Sequence, residues 1–197
     1  MLLFLEGTAR EQKAEPFKRR EILTEIPVPQ RTDFQLPELH HVGIVVRDRD
    51  VTIRHYQEIM GITSFFSFDT PMLHAIYRDK PISSSIRVGF ALLGNTIIEL
   101  LQPLDGVSPY VHFLEEHGEG MHHLGFLVPN VDDYLPKLQE KGLHLLLESA
   151  DPAADSKMAY VEGDGLSGML LEFVQETPTA QAFFQQVYQA IGRKNLS

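Results

Sequence analysis

The chain of 197 residues carries the same strand motif twice, and this repetition constrains the fold more than any other feature. The segment HHVGIVV at residues 40–46 returns as HHLGFLV at residues 122–128. Each copy is followed by an apolar segment with one glutamate inside it, IIEL at 97–100 and LLEF at 170–173. A duplicated unit places equivalent residues at equivalent positions about a pseudo-twofold axis. The repeat therefore predicts that two histidines and two glutamates converge in one cleft.

Hydrophobic periodicity predicts the same order of elements in both copies, with a helix after the histidine strand and further strands after the helix. Gly61 and Gly142 end the helical pattern of their copies at nearly the same distance from the histidines. The predicted fold class is therefore α+β, with two tandem βαβββ modules over about residues 39–104 and 120–176. Strands are predicted at 39–46, 62–68, 73–78, 87–93, 96–101, 144–147, 157–161 and 169–174, and helices at 51–60, 110–117, 131–141 and 180–191.

The segments outside the repeat are predicted to be an arm and a helix. Residues 1–38 are polar and contain several prolines, which argue against a continuous helix. Residues 177–197 begin with apolar side chains at helical spacing and are predicted as a C-terminal helix. The two modules between them form one domain, residues 39–176.

Composition excludes several classes of function. The formal net charge of −10 argues against nucleic acid as a partner, because such binding needs clustered lysine and arginine. The chain has no cysteine, so thiolate metal sites and thiol nucleophiles are excluded. Glu6 interrupts the short apolar start, and no uncharged run approaches the length of a membrane span. We therefore expect a soluble, cytoplasmic protein without a membrane partner.

The two glutamates carry the strongest chemical signal. An ionised carboxylate inside an apolar strand is costly to bury unless it is paired or bound to a cation, and a divalent ion removes that cost. Adjacent residues of a strand face opposite sides, so only one histidine of each pair can point into the cleft. The sequence leaves open which one, but the same member must be taken in both copies.

Imidazole and carboxylate ligands in equal number suit Co, Zn, Ni, Mn or Fe(II) rather than Ca or Mg. Four protein ligands leave two positions of an octahedron for a substrate carbonyl or water, as in catalytic sites. We therefore expect one divalent metal ion as the cofactor.

These motifs resemble the vicinal oxygen chelate (glyoxalase/bleomycin resistance/dioxygenase) superfamily, and within it the methylmalonyl-CoA epimerase-like proteins. The resemblance covers about residues 39–176 and includes LGNT at 93–96, ELLQPL at 99–104, GMHH at 120–123 and LEFVQ at 171–175. It implies a glyoxalase-like cleft of mixed β-sheet. It also implies His41, Glu99, His123 and Glu172 as metal ligands, with His40 and His122 facing outward.

The resemblance further implies an isomerase or epimerase that acts through a metal-stabilised enolate on a small carbonyl compound or acyl-CoA, and a homodimer. The same ligand types resemble bacterial glyoxalase I, so a lyase is an alternative. An extradiol-type dioxygenase is a second alternative, although the second carboxylate ligand predicted in this chain would occupy a position that oxygen needs. A non-catalytic small-molecule-binding protein is a third. Arg47, Arg49 and Lys157 are candidates to meet the phosphates of a coenzyme A tail.

The general base is the point where the sequence departs from the family pattern. The family's base is a carboxylate on the strand before the second ligand, and residues 87–93 contain none. We predict Glu172, His74 and Tyr77 as the catalytic residues, with Glu162 and Asp164 as further substitutes.

Overall fold

The computed structural model of the chain describes residues 34–153 and 155–193. Most of the predicted N-terminal arm lies outside the described residues. The strands are β1 Leu39–Val45, β2 Phe65–Tyr77, β3 Lys80–Leu93, β4 Thr96–Gly106, β5 Gly120–Val128, β6 His144–Asp151, β7 Ser156–Glu162 and β8 Leu170–Gln175. The helices are α1 Arg49–Met60, α2 Pro109–Glu116, α3 Leu135–Gln139 and α4 Pro178–Ile191. Two 3₁₀ turns lie at Val131–Asp133 and Asp164–Leu166.

The eight strands close into one barrel in the order β1-β4-β3-β2-β6-β7-β8-β5. The sheet is mixed, because β1 pairs with β4 and β5 pairs with β8 in parallel, whereas the other pairs are antiparallel. Each module contributes four consecutive strands, and the modules join at β1–β5 and β2–β6. This confirms the predicted α+β fold and its duplication. The histidine strands of both modules lie side by side.

Local sequence signals explain where the helices begin and end. Asp48 caps α1 by accepting a hydrogen bond from the backbone N–H of Val51, and Gly61 ends the helix with a left-handed φ of 69°. Thr177 caps α4 in the same way, and Gly192 ends it at φ 74°. Both helices therefore form where the sequence predicts them.

Two predicted elements are wrong in detail. The strands predicted at 62–68 and 73–78 are one long strand, β2, interrupted by a register shift between Met72 and Ala75. His74 sits in that irregularity with φ 50°, which bends the strand without ending it. The helix predicted at 131–141 is split into a 3₁₀ turn and the short α3, because Pro136 in the first turn of α3 has no N–H to continue a hydrogen-bonded ladder.

The hydrophobic core has parts on both sides of the barrel wall. On one outer face of the barrel, Tyr56 of helix α1 packs against a cluster of Ile62, Ala91 and Ile98. A second cluster around Phe126 and Phe173 lies under α3. Helix α4 instead inserts its buried residues into the cluster that fills the barrel: Phe184, Val187 and Ile191. No helix among the described residues has both the length and the apolar character needed to cross a membrane.

Candidate metal centre

The register of the β1–β5 pair places each histidine opposite a glycine of the other module. His41 pairs with Gly125, and Gly43 pairs with His123. A Cβ atom on either glycine would collide with the imidazole opposite it, so only glycine leaves space for that ring. The parallel strand pairs place the two glutamates beside the same two glycines, since Gly43 pairs with Glu99 and Gly125 pairs with Glu172. The pseudo-twofold axis therefore passes through this site.

Four side chains meet beside the β1–β5 pair, and their ligand atoms all lie within 4.8 Å of one another. The Nε2 atom of His41 lies 2.8 Å from Oε2 of Glu172 and 3.4 Å from Oε2 of Glu99. The Nε2 atom of His123 lies 3.3 Å from Glu99 and 3.6 Å from Glu172. The two Nε2 atoms are 3.2 Å apart. The fold thus brings together all four residues predicted as metal ligands.

Burial and mutual contact set the charges of this cluster in the ion-free protein. Burial by itself lowers the pKa of His41, but hydrogen bonds with Glu172 and Glu99 outweigh it and raise that pKa to about 10. Burial favours the neutral acid of Glu99, yet contacts with His123 and His41 hold its pKa below the usual range. Without an ion, a proton on His41 balances part of the negative charge.

The first histidine of each pair, His40 or His122, is buried and contacts the predicted ligand histidine beside it. His40 is 8% exposed and His122 is 1% exposed, so the prediction that they face outward is wrong. The reason is that α4 covers His40, while α2 and Tyr160 cover His122. The Nδ1 atoms of His40 and His41 are 2.8 Å apart. Those of His122 and His123 are 3.0 Å apart.

This contact orients the rings of His41 and His123. If Nε2 offers its lone pair to an ion, Nδ1 must carry the proton, and the neighbouring imidazole accepts it. Nε2 of His40 lies 2.7 Å from the Tyr188 hydroxyl, to which it then donates. Burial lowers the pKa of His40 to about 3, so this ring stays neutral and can accept. A hydrogen-bonded chain therefore runs from α4 to the cluster.

A cavity of about 350 Å³ opens directly onto the cluster. His41, Glu99 and Glu172 line its inner end, and the exposed residues Leu73 and Ser156 line its mouth. Its size falls within the range of small-molecule sites, which are concave and mostly apolar with a few convergent polar groups. The cluster is therefore accessible to a ligand although its own side chains are buried.

Two tyrosines beside the cluster carry no signal in the repeat. The hydroxyl of Tyr110, which lines the cavity, lies 2.9 Å from the hydroxyl of Tyr160. Burial raises the pKa of both well above the ordinary value, so both stay protonated. Tyr160 pairs with Glu172 in β7–β8, and Phe90 pairs with Glu99 at the equivalent position in β3–β4. At this position the second module therefore has a tyrosine hydroxyl, whereas the first module has a phenyl ring.

The remaining predicted catalytic residues lie elsewhere. His74 is exposed at the irregularity of β2. The Tyr77 hydroxyl is hydrogen-bonded to Nδ1 of His112 at 2.8 Å, and both residues line a separate small cavity. Neither lines the cavity at the cluster. Glu162 and Asp164 line a larger surface cavity of about 770 Å³, which contains none of the four cluster residues. Of the three residues predicted to be catalytic, only Glu172 is at the cluster; the role of the other two stays a prediction.

The sequence matches the profile of the Glyoxalase/Bleomycin resistance protein/Dioxygenase superfamily over residues 40–160, which is more than half of the chain. The chain belongs to this superfamily. The match spans the predicted ligands from His41 to His123 and both histidine motifs. Membership in the glyoxalase superfamily confirms the resemblance that the repeated motifs suggest.

Several relatives of this chain are named as epimerases. The mitochondrial methylmalonyl-CoA epimerase of Homo sapiens is 30% identical over 156 residues, which cover 77% of this chain and 82% of the relative. The ethylmalonyl-CoA/methylmalonyl-CoA epimerase of Cereibacter sphaeroides is 30% identical over 141 residues, 70% of this chain and 96% of the relative. The crystal structure of methylmalonyl-CoA epimerase from Mycobacterium tuberculosis superposes with a TM-score of 0.53 at 25% identity, covering 78% of this chain and 97% of that chain.

Proposed function

We propose that this protein is a divalent-metal-dependent epimerase or isomerase that moves the proton next to the carbonyl group of an acyl-CoA. The observation that carries the proposal is the cluster of His41, Glu99, His123 and Glu172 at the inner end of a cavity of ligand size. The names of the human and Cereibacter relatives support an acyl-CoA substrate and an epimerase reaction.

The four residues fit a divalent ion of the Co, Zn, Ni, Mn or Fe type. Two imidazole nitrogens and two carboxylate oxygens are the ligands that such ions share, and their two negative charges balance the charge of the ion. The hydrogen bonds at Nδ1 of His41 and His123 are typical of ligand histidines, whose outer nitrogen is held by a neighbouring group.

A bound ion would stabilise negative charge on the carbonyl oxygen of the substrate, which is where charge develops when the neighbouring proton leaves. Glu172 is the carboxylate that we assign to remove this proton, through the oxygen that does not face the imidazoles. The C–H electron pair stays on the substrate and delocalises onto the carbonyl oxygen.

Return of a proton to the opposite face of the carbon needs a second group. We assign this role to the Tyr110 hydroxyl, because it lines the same cavity, is protonated before the reaction, and is hydrogen-bonded to Tyr160. After the transfer Glu172 holds the proton taken from the substrate and Tyr110 lacks one, and proton exchange with solvent restores both groups. The described part of β3 contains no Asp or Glu, so the carboxylate expected from the family pattern is not available there. The homodimer and the cytoplasmic location remain predictions.

The test is solvent deuterium incorporation. The protein is stripped of metal, reloaded separately with Co, Zn, Ni, Mn or Fe(II), and incubated in D₂O with a panel of 2-methyl-branched acyl-CoAs. We expect metal-dependent deuterium at the 2-position by mass spectrometry, lost in Glu172→Gln. Tyr110→Phe should retain deuterium exchange but lose inversion of configuration, because a proton can then return only to the face of the 2-carbon from which it left.

Two parallel assays separate the alternatives. Conversion of the hemithioacetal of methylglyoxal and glutathione, without exchange in any acyl-CoA, would replace the proposal by a glyoxalase-type lyase. Oxygen uptake with catechols would replace it by a dioxygenase. Thermal protection by a ligand, with no turnover in any of the three assays, would leave a binding protein.

A further inference from the structure

The two modules end in equivalent helices. Helix α2 follows β4 and helix α4 follows β8, and each begins at a proline that follows a hydroxyl-bearing N-cap residue. The Phe113 ring of α2 packs against His122 with the ring centroids 5.1 Å apart, and the Phe184 ring of α4 packs against His40 at 4.6 Å. The structural repeat is therefore βαβββα, and each end helix packs against the histidine pair of the other module.

At the cavity beside the cluster the two helices present different side chains. Helix α2 contributes the hydroxyl-bearing Tyr110, whereas α4 contributes the phenyl rings of Phe183 and Phe184. Phe184 is buried and Phe183 is half-buried. Helix α4 therefore supplies an apolar wall on the side of the cavity that it covers.

The Phe183 ring is held by rings from two strands and from its own helix. Its centroid lies 5.5 Å from that of Phe68 on β2, 6.1 Å from that of Phe90 on β3 and 5.2 Å from that of Phe184. All three contacts are edge-to-face, with interplanar angles of 82°, 68° and 67°. A ring packed in this way does not turn aside without losing contacts on several sides. Phe183 therefore yields little to a ligand that presses against it.

This wall lies next to the cluster. Phe90 pairs with Glu99 in β3–β4, and the ring centroids of Phe90 and His41 are 6.3 Å apart. A thioester carbonyl held at the cluster would therefore lie near the rings of Phe90 and Phe183. The coenzyme A part of the substrate is too large for a cavity of about 350 Å³ and must leave through the mouth. The acyl group is left with the space between the cluster and the rings of α4.

We propose that Phe183 limits the length of the acyl group, so that the site accepts short acyl chains and excludes long ones. This inference rests on the proposed acyl-CoA function and deepens it by naming the residue that selects the substrate by size. An acyl chain that reaches the packed Phe183 ring has to displace the ring or bend, and both weaken binding, as overpacking destabilises a protein core. The limit concerns length alone and holds for charged and uncharged acyl groups alike.

The test is the chain-length dependence of binding. Dissociation constants of the Zn-loaded protein are measured by isothermal titration calorimetry for 2-methylbutyryl-CoA, 2-methylhexanoyl-CoA and 2-methyloctanoyl-CoA, and deuterium exchange is followed in parallel. We expect the wild-type protein to bind 2-methyloctanoyl-CoA at least about tenfold more weakly than 2-methylbutyryl-CoA. In Phe183→Ala the order should reverse, because each methylene that enters the freed space tightens binding by about fourfold.

Phe65→Ala is the matched control. Phe65 is a half-buried ring on β2, but it packs against the outer cluster of Ile62, Ala91 and Ile98 and does not line the cavity. This variant loses the same ring and should keep the wild-type order of affinities. Phe183→Leu repeats the test if Phe183→Ala does not fold, and should shift the order in the same direction. The zinc content of each variant is measured, so that affinities are compared at equal loading.

The outcomes separate this inference from the proposed function. The same order of affinities in the wild-type protein and Phe183→Ala, with deuterium exchange present, overturns the inference and leaves the epimerase proposal standing. A reversed order in Phe183→Ala without exchange in any compound supports the role of Phe183 and counts against the epimerase. A similar reversal in Phe65→Ala overturns the assignment to Phe183, because the effect is then not confined to the cavity. Failure of all three compounds to bind overturns the inference along with the acyl-CoA assignment.

Discussion

Gly43 and His123 face each other across the β1–β5 pair, and the imidazole of one occupies the space that a Cβ atom on the other would need. Gly125 and His41 repeat this relationship about the pseudo-twofold axis. The position of each cluster histidine therefore depends on a glycine in the opposite module. The candidate metal centre is a property of the interface between the modules, and neither module can form it alone.

Gly43→Ala should weaken metal binding by at least about 100-fold, because the added methyl group displaces the His123 ring from the cluster. Metal affinity is measured by competition with a chromophoric chelator. Gly120→Ala is the control, since it lies in the same sheet and a Cβ there meets nothing within 4 Å. Wild-type affinity in Gly43→Ala would show that His123 is not a ligand.

Tyr188→Phe should weaken metal binding by about tenfold, as is usual when the outer support of a ligand histidine is lost. The change removes the hydroxyl that accepts from His40, which in turn orients His41. Tyr56→Phe provides a matched control on α1, where the ring packs against a different core cluster from the one that contains α4. If both variants bind metal equally well, the chain from α4 to His41 has no role in positioning.

Metal binding at neutral pH should release about one proton per ion. The folded-state pKa of His41 is raised to about 10, so the ion-free ring carries a proton at neutral pH that the ion must displace. Metal affinity should therefore increase by about tenfold per pH unit as the pH rises toward that value, and level off above it. Calorimetry in two buffers of different ionisation enthalpy measures the proton count. Binding without proton release would contradict the assigned charge of His41.

Glu172→Gln should lower the free energy of unfolding of the ion-free protein by about 3 kcal/mol, because it leaves the buried, protonated His41 with one carboxylate fewer. The side chains of both partners are at most 7% exposed, so solvent screening is small. Urea unfolding measures the change. Glu140→Gln, at an exposed position after α3, should change stability by less than about 0.5 kcal/mol.

His74→Ala and Tyr77→Phe test the catalytic roles predicted from sequence. Neither residue lines the cavity at the cluster, so we expect deuterium exchange to stay within about threefold of wild type. Loss of more than about 100-fold with unchanged metal content would support a catalytic role for these two residues, since such a loss requires contact with the reacting atoms.

Much of the fold follows from short-range pattern in the chain. Alternation marks β1 and β5, capping residues mark α1 and α4, and Gly94-Asn95 marks the β3–β4 turn. The errors in the predicted elements arise where one residue interrupts a hydrophobic periodicity or an extended backbone. Pro136 divides a helix that periodicity alone would continue, and the irregularity at His74 keeps β2 one strand where two are predicted.

The sequence by itself determined the duplication and, through it, the two glutamates, because glutamates repeated inside apolar strands beside repeated histidines favour one shared cation; the pattern left open which histidine of each pair joins them. Only the tertiary structure decided what surrounds them. Barrel closure sets the cross-strand register, and α4 folds back so that Phe183 lines the cavity and Tyr188 reaches His40. Those contacts join residues far apart in the chain and follow no local period, so the sequence pattern carries no signal for them.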